Sequence, residues 1–207
     1  MALDYEQQFY FSDIQYIVGC DEAGRGCLLG SVFAGAVILP RDFQCDLIND
    51  SKKLSAKKRE EAYQIIINNA IAWGVGFATA DEIDEINILN ASRLAMNRAI
   101  ENMHHQYDLI LTDCMKMPHA KVPVVDLVHG DALAQCIAAA SIIAKVSRDR
   151  ECVELDKKYP QYGIAKHKGY GTKEHLEALK KYGPIKHLYR FTYAPVRESQ
   201  IEKISLF

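Results

Sequence analysis

A mixed β-sheet with helices on both faces, an α/β fold, is what this sequence predicts, and three observations carry the prediction. Five short apolar runs, at residues 16–20, 31–39, 72–80, 108–113 and 121–127, have the length and composition of strands. The opening two follow each other closely, as antiparallel neighbours do, whereas the later ones are separated by helical segments, as parallel pairing requires. At 207 residues and 49 % hydrophobic composition, the chain is long enough for one sizeable core. No internal repeat, low-complexity tract or linker divides it.

Taken in order, Tyr16, Ile17, Val18, Gly19 and Cys20 form a buried strand, and Asp21, Glu22, Ala23, Gly24, Arg25 and Gly26 follow at once. The second strand spans 31–39. Asp50, Ser51, Lys52, Lys53 and Leu54 make a polar turn that ends in Ser55, an N-cap for a helix over 56–69. Its buried face holds Ala62, Ile65 and Ile66, with Tyr63 beside them. Gly74 and Gly76 weaken the third strand or mark a bulge in it. An acidic helical turn over 81–85 precedes a longer helix over 89–104. The strand at 108–113 is flanked by Asp108 and Asp113. A long helix is expected from 131 to 158, its alanine-rich start able to lie close on a sheet, and Pro160 ends it. Residues 169–172 form a turn, and Thr172 caps a last helix that Gly183 and Pro184 stop near 182.

Charge is distributed unevenly. The net charge is −2, yet residues 1–140 carry 11 Lys and Arg against 19 acids, and residues 141–197 carry 13 against 6. An acidic body with a basic C-terminal quarter suits metal carboxylates in one region and a polyanion track in another. The six cysteines form no C-x-x-C pair, and a chain of this length does not need disulfide staples. The first residues lack the basic and apolar parts of a signal peptide, and no apolar run approaches the roughly 18 residues of a membrane span. A reduced, cytoplasmic, monomeric protein with no membrane partner is therefore expected. Several catalytic signatures are missing: no dinucleotide or P-loop glycine pattern, no H-E-x-x-H and no G-x-S-x-G. The adjacent His104 and His105 cannot share a helical face and read as surface.

The carboxylates carry the chemistry. Asp21 and Asp113 each close a strand, and open α/β sheets present ligands at the carboxyl ends of their strands. If those strands are neighbours, the two acids share one edge, and Asp131 after Gly130 faces the same edge. Glu22 joins them only if the strand ends or twists, because successive strand residues point to opposite faces. Taken singly, Asp131 also fits a helix N-cap and Asp113 a turn. Together, four acids about 4 Å apart repel one another unless cations lie between them. Two Mg²⁺ or Mn²⁺ ions are a known solution for cleaving a phosphodiester. The glycines beside Asp21 let the backbone approach a ligand and adopt positive φ.

Six motifs in register resemble bacterial ribonuclease HII. They are Asp21-Glu22-Ala23-Gly24-Arg25-Gly26; Asp50-Ser51-Lys52-Lys53-Leu54; Asn87-Ile88-Leu89; Gly130-Asp131; the run from Ile137 through Ser141 and Lys145 to Val146; and Gly169-Tyr170-Gly171-Thr172. The resemblance runs from about 16 to 196. It implies an RNase H-like sheet with a small helical C-terminal part, residues 1–160 forming the catalytic unit and 161–207 an extension that helps bind substrate. It also implies metal-dependent endonucleolytic cleavage of the RNA strand of RNA–DNA hybrids, and cleavage on the 5′ side of single ribonucleotides embedded in DNA. By motif, Asp21, Glu22, Asp113 and Asp131 are the catalytic and metal-binding acids. The backbone of Gly24, Arg25 and Gly26 meets the ribonucleotide 2′-OH. Tyr170 stacks at the RNA–DNA junction, and Lys52 and Lys53 contact phosphates. Three departures stand out: Cys27 where the family often has proline, Cys114 where glycine usually follows the third acid, and Arg190-Phe191-Thr192 in place of the usual ending. The tail, Lys203-Ile204-Ser205-Leu206-Phe207, looks like a peptide for the replication sliding clamp. Two rivals are a nuclease of the same fold that cuts branched DNA and a non-catalytic nucleic-acid-binding module.

Overall fold

The computed structural model describes residues 3–10, 13–49, 51 and 54–204; Asp50, Lys52, Lys53 and residues 205–207 lie outside them. Five strands, β1 (Ile17–Ala23), β2 (Val32–Ile38), β3 (Ala72–Ala78), β4 (Leu109–Asp113) and β5 (Val124–Leu127), form one sheet in the order β3-β2-β1-β4-β5. Pairing is antiparallel between β1 and β2 and between β2 and β3, and parallel between β1 and β4 and between β4 and β5. The mixed sheet is as expected. Helices α1 (Ala56–Asn69) and α3 (Gln135–Lys158) cover one face, and α2 (Ala80–Asn102) covers the other. Both faces of β1 are therefore buried, which is why its sequence is a continuous apolar run.

Small residues set how closely the helices lie. A Cβ on Gly19 would sit 2.2 Å from the Cys136 carbonyl carbon, and one on Gly35 would sit 2.3 Å from the Ala140 oxygen. The alanine-rich start of α3 thus rests directly on β1 and β2. Gly74 and Gly76 do the same for α2, with Ala99 and Ala95 oxygens 2.1 and 2.2 Å from the missing Cβ atoms. They do not mark a bulge, because the β2–β3 register is unbroken from Val32↔Ala78 to Ile38↔Ala72. Side chains of α2 also cap the outer edge of the sheet. Asn102 Nδ2 donates to the Val75 carbonyl and Arg98 Nη1 to that of Phe77, which blocks strand addition there.

Three expectations need correction. The long helix begins at Gln135, not 131; residues 130–132 form a 3₁₀ turn, so Asp131 is not an N-cap. The helix start is capped from afar by the carboxylate of Glu6, which accepts from the Gln135 and Cys136 amides at 3.1 Å each. The acidic turn and the helix after it are joined as one element, broken at Asn87, where φ is 67°. The helix ending at 182 is not the last. After α4 (Ile164–His167) and α5 (Lys173–Tyr182), capped by Thr172 as expected, comes α6 (Ala194–Ile204) with Pro195 in its first turn. Leu179 and Val196 from α5 and α6 pack with Leu28, Leu29, Cys152 and Tyr189, joining the C-terminal helices to α3 and to the segment after β1.

Candidate metal centre and substrate pocket

The β1–β4 pairing ends at Cys20↔Thr112, and Asp21 and Asp113 come next on their two parallel strands. Both acids are thereby delivered to one sheet edge. Asp113 Oδ1 accepts from the Gly130 amide at 2.8 Å, which pins the 3₁₀ turn against the end of β4. A Cβ on Gly130 would lie 2.7 Å from Ile137 Cδ1, so the glycine lets this turn pack closely against α3. The result is that one oxygen each of Asp21, Asp113 and Asp131 lies within 4.8 Å of the others. Asp21 and Asp131 are buried, at 4 % and 5 % exposure.

Glu22 sits differently. β1 continues through Ala23, so Glu22 is a strand residue opposite Ala34 and stays outside the trio, bordering the same pocket. Its Oε1 accepts from Arg25 Nη1 at 3.2 Å. Burial holds the Asp21 carboxyl well above its usual range, and the charges of Glu22 and Asp113 add to this; hydrogen bonds from Ser141 and the Glu22 amide oppose it. Ser141 is itself held by Ser51, Oγ to Oγ at 2.9 Å. Two unit charges 4 Å apart cost about 4 kcal/mol at an effective dielectric constant of about 20. A divalent cation removes that cost, and an all-oxygen donor set suits hard ions such as Mg²⁺ or Mn²⁺. The acids present fit such an ion.

Beside the acids lies a pocket of about 230 Å³, lined by residues 21–26, Asp113, Ser51, Ser141, Lys145 and Tyr170. Its glycine loop is held from behind by two buried arginines. Gly24 has φ +102°, and a Cβ there would fall 2.1 Å from Arg148 Nε. Arg190, fully buried, donates to the carbonyls of Gly24 (2.8 Å), Arg25 (2.9 Å) and Gly30 (3.0 Å). Tyr193 Oη donates to Arg25 O as well. With these carbonyls drawn inward, the loop is fixed at the pocket wall. Across from it, Tyr170 pairs with Cys27 in an isolated β-bridge and is 45 % exposed. The Arg148 guanidinium lies 6.0 Å from its ring centroid.

The structure thus brings Asp21, Glu22, Asp113, Gly24, Arg25, Gly26 and Tyr170 to one pocket, with Asp131 completing the trio. Lys52 and Lys53 fall outside the described residues. Cys27 is buried with Sγ 3.4 Å from Lys168 O, and burial raises its thiol pKa. Cys114 is exposed with φ +51°, a left-handed conformation that explains why glycine suits this position. Sequence reasoning missed Arg148, Arg190, Ser141, His167 and His175. Ser141 lies inside one of the six motifs and Arg190 in the altered ending, and Arg148 is a charge among buried positions near the middle of α3.

Acids gathered at the carboxyl end of paired parallel strands, beside a glycine loop, define a metal-dependent nuclease of the RNase H-like fold. The family model described as Ribonuclease HII matches residues 18–196. Curated relatives bearing that name include one from Alkaliphilus metalliredigens, 52 % identical over 88 % of this chain and 92 % of its own. Another, from Caldanaerobacter subterraneus, is 49 % identical over 91 % and 78 %. The chain belongs to the ribonuclease HII family and is a metal-dependent endoribonuclease acting on RNA–DNA hybrids. Among solved structures, ribonuclease H2 from Pyrococcus horikoshii superposes with a TM-score of 0.77 at 26 % identity, over 91 % of this chain and 98 % of that one. The PCNA:RNase HII complex from Archaeoglobus fulgidus gives 0.71 at 26 %, over 86 % and 95 %. Among the described residues, no helix is long and apolar enough to cross a membrane.

Proposed function

We propose that the enzyme cuts on the 5′ side of single ribonucleotides embedded in duplex DNA, as well as within the RNA strand of hybrids. The observation that carries this reading is one pocket that joins Asp21 and Asp113, two of the three gathered acids, to the glycine loop and Tyr170. Asp21, Glu22, Asp113 and Asp131 are the catalytic acids, and they would hold two divalent ions. Such ions, when bound, supply charge neutralisation at the phosphate and lower the pKa of the attacking water. The protein's own groups do the positioning. The backbone at residues 24–26 meets the 2′-OH, since Gly26 has no side chain to obstruct it and Arg190 fixes the carbonyls behind. Tyr170 stacks on the sugar or base at the junction, and Lys52 and Lys53 engage phosphates. Water attacks phosphorus in line as the P–O3′ bond breaks, leaving a 3′-OH on the upstream strand and a 5′-phosphate on the ribonucleotide.

That residues 161–207 form an extension helping to bind the duplex is supported by Tyr170, which lies among them and lines the pocket. The tail from Lys203 to Phe207 is proposed to hold the sliding clamp, a reading supported by the PCNA complex of the archaeal relative. Clamp recovered by full-length protein and not by residues 1–202 supports it; equal recovery refutes it. The main test is a DNA duplex with one ribonucleotide, incubated with Mg²⁺, with Mn²⁺ or with chelator. Metal-dependent scission 5′ of the ribonucleotide, with plain and branched DNA left intact, is the expected result. Cutting of branched all-DNA substrates would point instead to the rival nuclease.

A further inference from the structure

Directly behind Tyr170 two imidazoles are stacked. His167 and His175 are buried, at 7 % and 0 % exposure, with ring centroids 4.0 Å apart and planes 11° from parallel. Their hydrogen bonds fix both tautomers. The Gly169 amide donates to His167 Nδ1 at 3.1 Å, so that nitrogen carries no proton and His167 Nε2–H donates to Tyr162 O at 2.8 Å. His175 shows the reverse pattern. Its Nδ1 faces the Tyr170 carbonyl at 2.9 Å, an acceptor only, so Nδ1 bears the proton and Nε2 accepts from Tyr189 Oη at 2.9 Å.

The backbone on both sides of the Tyr170 ring is thereby gripped. Its amide donates to His167 O at 3.0 Å, and its carbonyl accepts from His175. The preceding Lys168 and Gly169 both have left-handed φ, 51° and 80°, a bent path that the two histidines brace. The Gly169 carbonyl accepts from the Leu28 amide at 2.8 Å, which ties the turn to the glycine loop. Of His167, Tyr170, His175 and Tyr189, Tyr170 is the one that lines the pocket, so the others act on substrate through it.

We infer that His167, His175 and Tyr189 form a positioning relay that holds Tyr170 at the pocket and sets selectivity for a single embedded ribonucleotide over a continuous hybrid. This rests on the reading of Tyr170 as the junction contact. A misplaced contact residue costs rate in proportion to how much the substrate depends on it. A continuous hybrid offers many equivalent phosphates, whereas a lone ribonucleotide offers one junction.

The test compares kcat/KM on both substrates for wild type, Tyr170→Ala, His175→Phe, His175→Asn and Tyr189→Phe in the full chain. His175→Phe keeps a flat ring in the stack and removes both hydrogen bonds. It should lower single-ribonucleotide cleavage about 10-fold while hybrid cleavage stays within about 3-fold, the size expected of a small displacement of a contact residue. His175→Asn, which keeps a donor near the Nδ1 position, should recover most of the selectivity. If His175→Phe does not fold, Tyr189→Phe carries the test, with a smaller shift in the same direction expected. Equal losses on both substrates would overturn the relay, since a merely structural role predicts that result. A selectivity change in Tyr170→Ala with none in His175→Phe or Tyr189→Phe overturns the relay alone; no change in Tyr170→Ala overturns the junction reading too. Nitrogen-15 imidazole spectra give an activity-free check: opposite neutral tautomers for His167 and His175 support the relay, and matching tautomers contradict it.

Discussion

The two walls of the pocket handle buried charge in opposite ways. At the acid edge, Asp21, Asp113 and Asp131 converge with oxygens within 4.8 Å. On the glycine-loop wall, the guanidiniums of Arg148 and Arg190 are buried, yet they bond chiefly to carbonyls: Arg190 to Gly24, Arg25 and Gly30, and Arg148 to Lys168 O at 2.8 Å. Burial disfavours charge on both walls, pushing the Asp21 carboxyl up and the Arg190 guanidinium down. Arg190 offsets this with a carbonyl acceptor at each of its three nitrogens and becomes a rigid brace. The acids repel one another and keep their affinity for a cation. One wall is built for shape and the other for binding.

Breaking the acid edge should have the largest effect. Asp21→Asn removes a ligand and one of the repelling charges, so cleavage should fall at least about 10³-fold. The metal-free protein should become about 1–2 kcal/mol more stable. Thermal melts should show Mg²⁺ or Mn²⁺ raising Tm in wild type but much less in the variant. A less stable Asp21→Asn protein would mean that the carboxylate is structural.

Breaking the other wall should reverse that pattern. Arg190→Met leaves the Gly24, Arg25 and Gly30 carbonyls short of donors and should cost about 3 kcal/mol of stability, measured by denaturant unfolding, with cation affinity nearly unchanged. Gly24→Ala and Gly26→Ala sharpen the contrast within the loop. The first forces a Cβ into Arg148 at φ +102° and should cost about 2 kcal/mol or more. The second meets only Tyr170 Cε1 at 3.9 Å; it should leave stability almost intact and raise KM for ribonucleotide substrates.

Near neutral pH the smallest effect is that of the brace behind Tyr170, which shows only on acidification. Burial lowers the His175 pKa from 6.5 to about 4. The unfolded chain therefore takes up a proton at higher pH than the folded one. This contribution to stability is complete above about pH 6.5 and lost as pH falls towards 4, by up to about 3 kcal/mol. Subtracting the His175→Phe profile from that of wild type isolates it, and a flat difference would contradict the buried neutral imidazole.

Local patterns in the sequence exposed one wall and concealed the other. Asp21 could be read because it closes an apolar run before two glycines, and Asp113 because it closes another; strand periodicity carries both. Ser55 and Thr172 were legible as caps because capping is a contact three residues long. Asp131 was placed correctly on the sheet edge but in the wrong element, since nothing nearby shows that Glu6, about 130 residues away, supplies the cap for α3. Arg190 reaches Gly24 across 166 residues, and only the folded chain shows what an arginine near the C-terminus holds. His167 and His175 stack across a left-handed turn, a path that no helical or strand period describes.

Anomalous diffraction at the manganese edge from crystals grown with Mn²⁺ would examine the acid edge most directly. Peaks should lie within ligand distance of Asp21, Asp113 and Asp131 together, and should vanish at the shared position in Asp21→Asn. Manganese bound elsewhere while these three carboxylates hold no ion would refute the metal site, and the two-ion hydrolysis with it.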